Sequence, residues 1–436
     1  MEIQLSDKQQ EAFDLYKSSQ NVFVTGPGGT GKTTLIKHIV ADAKSNRRNV
    51  QVCALTGTAA VLLNCNAKTL HAWGGFGLAN GPATNVVSRI YADKRRHYNW
   101  KKVHLLIVDE ISMMSAKLLE ILDLAARKIR NNSNPFGGIQ VLFFGDFYQL
   151  SPVGSPDEPE SSQFAFEYEL WDQLFPHYVC LDAVFRQNDE KHVKMLNNIR
   201  KGKLTKSSYA LLSNRVGVEL DIPFGLTPTK LLPLRRMVDS INSSHMSQLE
   251  SDEVMSDVET VPDLSLMKDS KNHSQMVMEQ DYLLKNTPCE KKLVLKVGAQ
   301  VMCVVNLDLE SATPICNGSQ GMVIGFEGNR PIVKFTNGRV MTMDKHSWVS
   351  ERFETVSIKQ YPLILAWAMT IHKAQGATLD YAEIDAGSGI FACGQTYVAL
   401  SRVRSIEGLS LTSFDPSKIK IDQRVKDFYE RLESLQ

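Results

Sequence analysis

No stretch of the 436-residue sequence approaches the roughly 20 consecutive apolar residues that a membrane-crossing helix needs. Leu363-Ile-Leu-Ala-Trp-Ala-Met369 is among the longest apolar runs, so a membrane is not an expected partner. The opening residues, Met1-Glu-Ile-Gln-Leu-Ser-Asp-Lys8, lack the basic-then-apolar order of a secretory signal. Paired cysteine spacing is missing too: seven cysteines are scattered at positions 53, 65, 180, 289, 303, 316 and 393, never as CxxC. An odd, scattered set argues against a disulfide framework or a zinc site and suits reduced thiols in a soluble intracellular protein. Nor is one charge in excess, since 49 Lys+Arg face 48 Asp+Glu for a net charge of +1. That balance excludes a uniformly cationic, histone-like binder, but it leaves room for a local basic track. With 43% hydrophobic and 22% charged residues the composition is globular. The length suggests about two to four domains.

What is present is an alternation of strands and helices. Ser6 can cap a helix that begins at Asp7, and Gln9 stands at the third helical position, as in a capping box. An apolar strand, Asn21–Thr25, leads into a glycine-rich turn and a helix from about Lys32. Further apolar runs at Val50–Leu55, Val103–Val108, Ile139–Phe144 and Tyr178–Leu181 suit strands buried on both faces of a parallel sheet. Helical stretches between them complete a doubly wound α/β pattern. Between Asn80 and Lys102 the composition breaks to Gly81-Pro82 and then Lys94-Arg-Arg-His-Tyr-Asn-Trp-Lys-Lys102, a run with five basic residues. It is either a nucleic-acid grip or a solvated face. Ser151–Ser162 is a second polar break.

After Arg186 a second α/β pattern begins, with helices around Lys191–Arg200 and Arg235–Leu249. Residues 250–290 are polar and partly acidic and are expected to form a solvated surface insertion. From 299 to 358 the period shortens to strands at Gln300–Val305, Gly321–Phe326, Ile332–Phe335 and Arg339–Met343, with Asn337-Gly338 as a hairpin turn. This predicts a small antiparallel barrel inserted in the second domain. The α/β pattern resumes at Leu363, with helices near His372, Gln395 and Val425.

Gly26-Pro-Gly-Gly-Thr-Gly-Lys32-Thr33 matches G-x-x-x-x-G-K-[ST] between a strand and a helix. Gly26, Gly28, Gly29, Thr30 and Gly31 let backbone N–H groups turn inward around phosphate oxygens, and the helix N-terminus adds a favourable dipole. Lys32 would neutralise the β- and γ-phosphates and the Thr33 hydroxyl would ligate Mg²⁺; Thr34 belongs to the same nucleotide-binding set. ATP and Mg²⁺ are the cofactors this implies. Asp109 and Glu110 end a buried strand at the ligand edge of such a sheet. Asp109 suits a direct or water-mediated Mg²⁺ ligand, and Glu110 suits the base that orients the attacking water. Gln149, in Gly145-Asp-Phe-Tyr-Gln149, is placed to sense the γ-phosphate. Gln9 keeps two readings, because it can simply complete the Ser6 cap.

The spacing of Asp109-Glu-Ile-Ser-Met113, Ala125-Ala-Arg127, Ile129-Arg130, Pro135-Phe-Gly-Gly-Ile-Gln140 and Gly145-Asp-Phe-Tyr-Gln149-Leu resembles the signature segment of the petite integration frequency (PIF) helicases. Those belong to superfamily one, group B. Leu5-Ser6-x-x-Gln9, Thr56-Gly-Thr58-Ala-Ala60 and Thr69-Leu-His71-Ala-Trp73 continue the likeness. So do Phe185-Arg186-Gln187, Trp367-Ala-Met-Thr370-Ile-His372-Lys373-Ala-Gln375-Gly376 and Tyr397-Val-Ala-Leu-Ser401-Arg402. It spans residue 5 to about 411, with Leu55 and Ser151 as small departures where the family commonly has proline.

The resemblance implies an α/β fold of two RecA-like P-loop domains, residues 1–185 and 186–436. A wedge-type insertion would lie at about 74–102 and a Src-homology-3-like β-barrel at about 299–358. It implies an ATP-dependent DNA helicase, active as a monomer, that translocates 5′-to-3′ on single-stranded DNA and acts on forked DNA. Gln9 would then read adenine, Gly376 would join the nucleotide set, and Arg186 and Arg402 would be arginine fingers brought by the second domain. His71 and Trp73 would form a stacking floor for single-stranded DNA, with ordinary core as the other reading of Trp73, and Thr58, Thr370, His372 and Lys373 would hold phosphates. A translocase with little unwinding activity and a RecD-like helicase are the enzyme alternatives. A catalytically dead DNA-binding module is opposed by the intact set Lys32, Thr33, Asp109, Glu110, Gln149, Arg186 and Arg402.

Overall fold

The computed structural model describes residues 5–434 except 64, 66, 78, 155–157, 188, 265–272, 308–310, 312, 351–352, 354 and 388. The chain divides into two compact units. The first comprises Met1–Leu204 with two returning segments, Ala392–Val398 and Ile419–Gln436. The second comprises Thr205–Phe391 and Ala399–Lys418. This division differs from a single cut at residue 185/186, which leaves the C-terminal helix with the second domain. Among the described residues no helix is long and apolar enough to cross a membrane.

The first unit is built on a six-stranded sheet: β1 (Val22–Thr25), β2 (Val50–Ala54), β3 (Lys68–Thr69), β4 (Leu105–Asp109), β5 (Gln140–Phe144) and β6 (His177–Cys180). The spatial order is β3-β2-β4-β5-β1-β6 and every pairing is parallel. Every residue of β1, β4 and β5 is buried, which is why their runs are continuously apolar rather than alternating. Ser6 and Gln9 form the expected capping box at the Asp7–Lys17 helix. One sheet face packs against the Lys32–Ser45 helix through Leu35, Ile36 and Ile39. The other face packs against the Ala116–Arg130 helix through Leu118, Leu119, Ile121, Leu122 and Ala125.

The Gln423–Ser434 helix adds Val425, Phe428, Tyr429 and Leu432 to that second core layer. Phe428 meets Phe23 at 6.2 Å and Phe147 at 5.6 Å between ring centroids. The helix therefore completes the hydrophobic face of the first sheet, although it lies at the far end of the chain.

The 74–102 segment contains two helices, Ala83–Ala92 and Lys94–Lys102. Val86, Val87 and Ile90 of the first helix are buried, and so is Trp100 of the second. Arg130 donates to the carbonyls of Trp100 (2.8 Å), Lys101 (3.1 Å) and Val103 (3.2 Å), satisfying the end of the second helix. Trp73, 3% exposed, packs on Trp100 at 4.7 Å. The stacking floor expected of Trp73 is therefore corrected: its ring is spent inside the core and offers no face to a base.

The second unit has a four-stranded parallel sheet ordered Ala368–Thr370, Thr229–Leu232, Ala382–Ala386, Leu409–Phe414. An antiparallel region accompanies it. Val340–Thr342, Arg330–Phe335, Gln320–Glu327, Gln300–Cys303 and Leu363–Leu365 form a five-stranded sheet. At its hairpin Gly338 takes φ +86°, and the Asn337 side chain accepts from the Arg339 N–H at 3.1 Å. The region expected to be a solvated surface insertion, of which 265–272 lie outside the described residues, keeps its acids exposed and also forms regular structure. Glu259–Val261 pairs with Ser357–Gln360, Val254–Asp257 pairs with Lys292–Leu295, and Leu264, Met276 and Leu283 are buried. Scattered acids masked these strands because only their outward positions are charged.

Trp73→Ala is expected to destabilise the first unit by about 3–5 kcal/mol, the usual cost of emptying a large aromatic site. Urea unfolding measures this. Unchanged stability with weakened single-strand binding would instead return Trp73 to the DNA surface.

Candidate nucleotide site

Because β4, β5 and β1 are neighbours in a parallel sheet, the turns that follow them open side by side on its carboxyl edge. Val108 stands opposite Phe143 and Phe144 opposite Val24, so the register is set. The sheet thereby gathers Asp109-Glu110, Gly145–Gln149 and Gly26–Thr33, which are far apart in sequence.

Gly29 and Gly31 of the phosphate loop adopt φ +84° and +78°. A β-carbon would fall 2.6 Å from the Arg186 Cβ at Gly29 and 2.5 Å from the Gln9 Nε2 at Gly31, so both conformation and close approach require glycine. Lys32 donates to the carbonyls of Gly26 (2.6 Å) and Pro27 (2.8 Å), and the Thr30 hydroxyl also donates to Pro27 (2.9 Å). Burial pulls the Lys32 pKa down, while the charges of Asp146, Glu110 and Asp109 oppose that fall. Thr33 and Thr34 lie exposed in the first turn of the Lys32–Ser45 helix.

Gln9 completes the cap through Oε1, which accepts from the Ser6 N–H at 3.0 Å. Its Nε2 donates to the carbonyls of Thr30 (3.3 Å) and Gly31 (3.4 Å), so the same amide braces the phosphate loop.

Asp109 accepts from the Glu110 N–H at 2.8 Å. Burial, reinforced by the neighbouring Glu110 charge, pushes Asp109 up to about 7. Glu110 takes a left-handed conformation, φ +57° and ψ +39°. For a residue with a β-carbon this is a strained turn of the kind that tertiary structure must hold in place. Gln149 is 5% exposed, and its Oε1 has no hydrogen-bond partner among the described residues. The buried Ser112 hydroxyl in the neighbouring turn is also without a partner among the described residues.

The Gly145–Gln149 turn is held from below. Arg200 donates from Nε and Nη2 to the two carboxylate oxygens of Asp146, both at 2.8 Å. Its guanidinium lies 4.5 Å from the Tyr148 ring and 5.4 Å from the Tyr429 ring, and those rings stack at 4.7 Å. Burial alone would lower the Arg200 pKa, yet the Asp146 charge and hydrogen bonds raise it above its ordinary value. The Tyr429 hydroxyl meets the Thr25 hydroxyl at 2.6 Å and accepts from the Phe147 N–H at 3.2 Å, which ties the ends of β1 and β5 together. Arg200 and Tyr429 were missed in the sequence because no local motif marks them.

Arg186 requires a correction. It belongs to the first unit and does not arrive with the second. β6 pairs with β1 through Thr25 and Cys180, the Leu181 N–H donates to the Thr25 carbonyl at 2.8 Å, and the Phe185 N–H donates to the Gly29 carbonyl at 2.8 Å. The turn after β6 is therefore laid directly along the phosphate loop. Phe185, 59% exposed, is a site residue the sequence reading did not assign, although it stands in the Phe185-Arg186-Gln187 motif. A β-carbon on Gly31 would lie 3.4 Å from its ring.

His71 is half-buried in the first unit, edge-on to Phe76 at 6.1 Å, and its burial lowers its pKa. The Thr58 side chain lies outside the described residues. In the second unit the Thr370 hydroxyl accepts from the Lys373 N–H at 3.1 Å, and exposed Lys373 pairs with Glu290 at 3.6 Å. His372 is exposed and Gly376 takes φ +86° in the same turn. Arg402 is buried in this unit, with its N–H on the Ala399 carbonyl at 3.2 Å.

Comparison with known proteins adds to this geometry. The family profile described as PIF1-like helicase matches residues 4–209, and that described as DNA helicase Pif1, 2B domain, matches 280–326. The sequence is 32% identical to the ATP-dependent DNA helicase RRM3 of Saccharomyces cerevisiae, over 97% of this chain and 66% of the yeast protein. It is 33% identical to the ATP-dependent DNA helicase Pif1 of Bdellovibrio bacteriovorus, over 100% of this chain and 93% of that protein. Among solved structures, Bacteroides Pif1 in complex with ADP-AlF3 and single-stranded DNA aligns with a TM-score of 0.67 at 31% identity, covering 99% of this chain and 98% of that one. The complex of Bacteroides Pif1 with ADP-AlF4 aligns at 0.81, with 30% identity over the same shares. The chain spans just under two thirds of the length of the yeast relative.

With its pKa raised, Asp109 keeps in the fold a proton that the unfolded chain releases near pH 4. The contribution of Asp109 to native stability without nucleotide is therefore lost as pH rises from about 4 to 7. Asp109→Asn is expected to match the parent near pH 4 and to be roughly 1–3 kcal/mol more stable at pH 8. Denaturant unfolding across that range is the measurement, and a variant less stable at every pH would refute the assignment.

Proposed function

The chain belongs to the PIF1-like helicase family, and from that membership we propose that it is an ATP-dependent DNA helicase that moves 5′-to-3′ along single-stranded DNA. The observation that carries the reading is the convergence on one sheet edge of the phosphate loop, Asp109-Glu110 and a buried Gln149 whose Oε1 is unpartnered among the described residues. The donor set fits Mg²⁺ and ATP: a glycine-rich loop at a helix N-terminus, a lysine held by replaceable carbonyl contacts, the exposed Thr33 hydroxyl and a carboxylate.

In this reading Lys32 leaves the Gly26 and Pro27 carbonyls to meet the β- and γ-phosphates. Thr33 and Asp109 hold Mg²⁺, directly or through water. Glu110 orients the attacking water and takes its proton, and Gln149 accepts a hydrogen bond from the same water. Gln9 and Phe185, which brace the loop from one side, receive the adenine edge and face. Bound Mg²⁺–ATP supplies the transferable γ-phosphoryl group and the charge that draws cationic groups to it. Arg186 acts from the first unit and Arg402 is carried by the second. An arginine finger on another unit ties hydrolysis to relative motion, which is how a nucleotide cycle becomes translocation. Gly376 supports the nucleotide set from the second unit.

For DNA, His71, Thr58, Thr370, His372 and Lys373 remain the proposed contacts, and Trp73 does not. One related Pif1 has been crystallised with single-stranded DNA, and another solved structure concerns forked DNA and two coordinating Pif1 helicases; we extend these DNA classes to this chain.

Partial duplexes with either a 5′ or a 3′ single-stranded tail, supplied with ATP and Mg²⁺, test the proposal. Strand separation is expected from the 5′-tailed substrate. Activity from the 3′ tail alone would overturn the polarity, and DNA-stimulated hydrolysis without separation would make the protein a translocase. Lys32→Ala should lower DNA-stimulated hydrolysis at least about 10²-fold, as loss of a main phosphate-stabilising group does; undiminished turnover would refute the site.

A further inference from the structure

We propose that the Tyr397 hydroxyl is a built-in ligand of the phosphate loop that nucleotide must displace; this rests on the loop being the nucleotide site. The Gly28 N–H donates to the Tyr397 hydroxyl oxygen at 2.9 Å. Gly28 lies inside the glycine-rich loop whose N–H groups act by pointing at phosphate oxygens. One N–H carries one hydrogen, so Gly28 cannot give a full bond to a phosphate while it serves Tyr397.

The contact is built rather than incidental. Tyr397 is 2% exposed. Its segment, Ala392–Val398, packs with the first unit. Gly394 takes φ +77°, and a β-carbon there would lie 2.7 Å from the carbonyl oxygens of both Tyr148 and Gln149. The Gly394 N–H donates to the Lys420 carbonyl at 3.2 Å. Tyr148, Arg200, Gly394 and Tyr397 line one crevice, so the segment rests against the clamp that holds the Gly145–Gln149 turn.

A neutral hydroxyl is a weaker acceptor than a phosphate oxygen. It keeps the amide paired while the loop is empty and yields when phosphate arrives. Lys32 behaves in parallel, its ammonium resting on the Gly26 and Pro27 carbonyls. The loop is thus closed on itself at one donor and at its cation. Tyr397 lies in the Gln395–Leu400 helix, and the chain passes from the first unit to the second between Val398 and Ala399, just before Arg402. Displacing its hydroxyl is a change at the phosphate loop felt on the segment that leads to Arg402.

Tyr397→Phe keeps the ring and removes the acceptor. Binding of fluorescent ADP with Mg²⁺, without DNA, is expected to tighten about three- to tenfold, the range set by one lost competing hydrogen bond. The Tm of the nucleotide-free variant should fall while its Tm at saturating ADP matches the parent. A hydroxyl with only a structural role would lower both Tm values alike, which overturns the proposal. Equal or weaker ADP binding by Tyr397→Phe overturns it as well. If the parent protein bound no ADP, the nucleotide-site reading itself would fall, so the two failures are distinguishable.

Discussion

A carboxylate and a guanidinium withdrawn from water must be paired, and in the first unit Asp146 and Arg200 are that pair. Their two hydrogen bonds join the turn after β5 to the last residue of the Glu190–Arg200 helix. Tyr429, from the C-terminal helix, lies against the same guanidinium. Removing one partner from such a pair typically costs about 3–5 kcal/mol, because the other is left charged and buried. The consequence for the site is positional. With both carboxylate oxygens engaged by Arg200, Asp146 holds the Gln149 turn in place.

On that scaffold the site itself is locally unfavourable. Asp109 is protonated more readily than an ordinary carboxyl, Glu110 sits in a left-handed turn, and Gln149 buries an oxygen that no described residue satisfies. Each departs from what stability alone would select, and the three lie on adjacent strand ends. That concentration is the expected mark of a site organised for a ligand, with the packed sheet and the Asp146–Arg200 clamp bearing the strain.

Much of this was legible in the linear sequence because the relevant physics is local. A phosphate loop needs its glycines and lysine at fixed offsets, a capping box needs Ser6 and Gln9 three residues apart, and doubly buried strands read as unbroken apolar runs. The motif residues of the first unit accordingly fell on the strand ends where they were expected. What misled was local resemblance without a packing partner. Trp73, in a DNA motif, read as a stacking surface or as core, and Trp100 packed against it makes it core. The acids of 250–263 suggested a solvated surface insertion, and they are exposed, but they alternate with half-buried positions that build strands. Arg186 was assigned to the second domain because a second α/β pattern begins after it, yet β6 pairs beside β1 and returns it to the phosphate loop.

The sequence alone determined the class of fold, the phosphate-loop motif and the family, since all three are written in short-range spacing and in the burial pattern of single strands. Only the tertiary structure decided which distant segments complete the site. The C-terminal helix supplies Tyr429, residues 392–398 bring Tyr397 to Gly28, and Arg200 neutralises Asp146. The reason is that desolvation acts on spatial neighbours. A buried charge, hydroxyl or amide is satisfied by whatever the fold places beside it, and no sequence spacing records that neighbour.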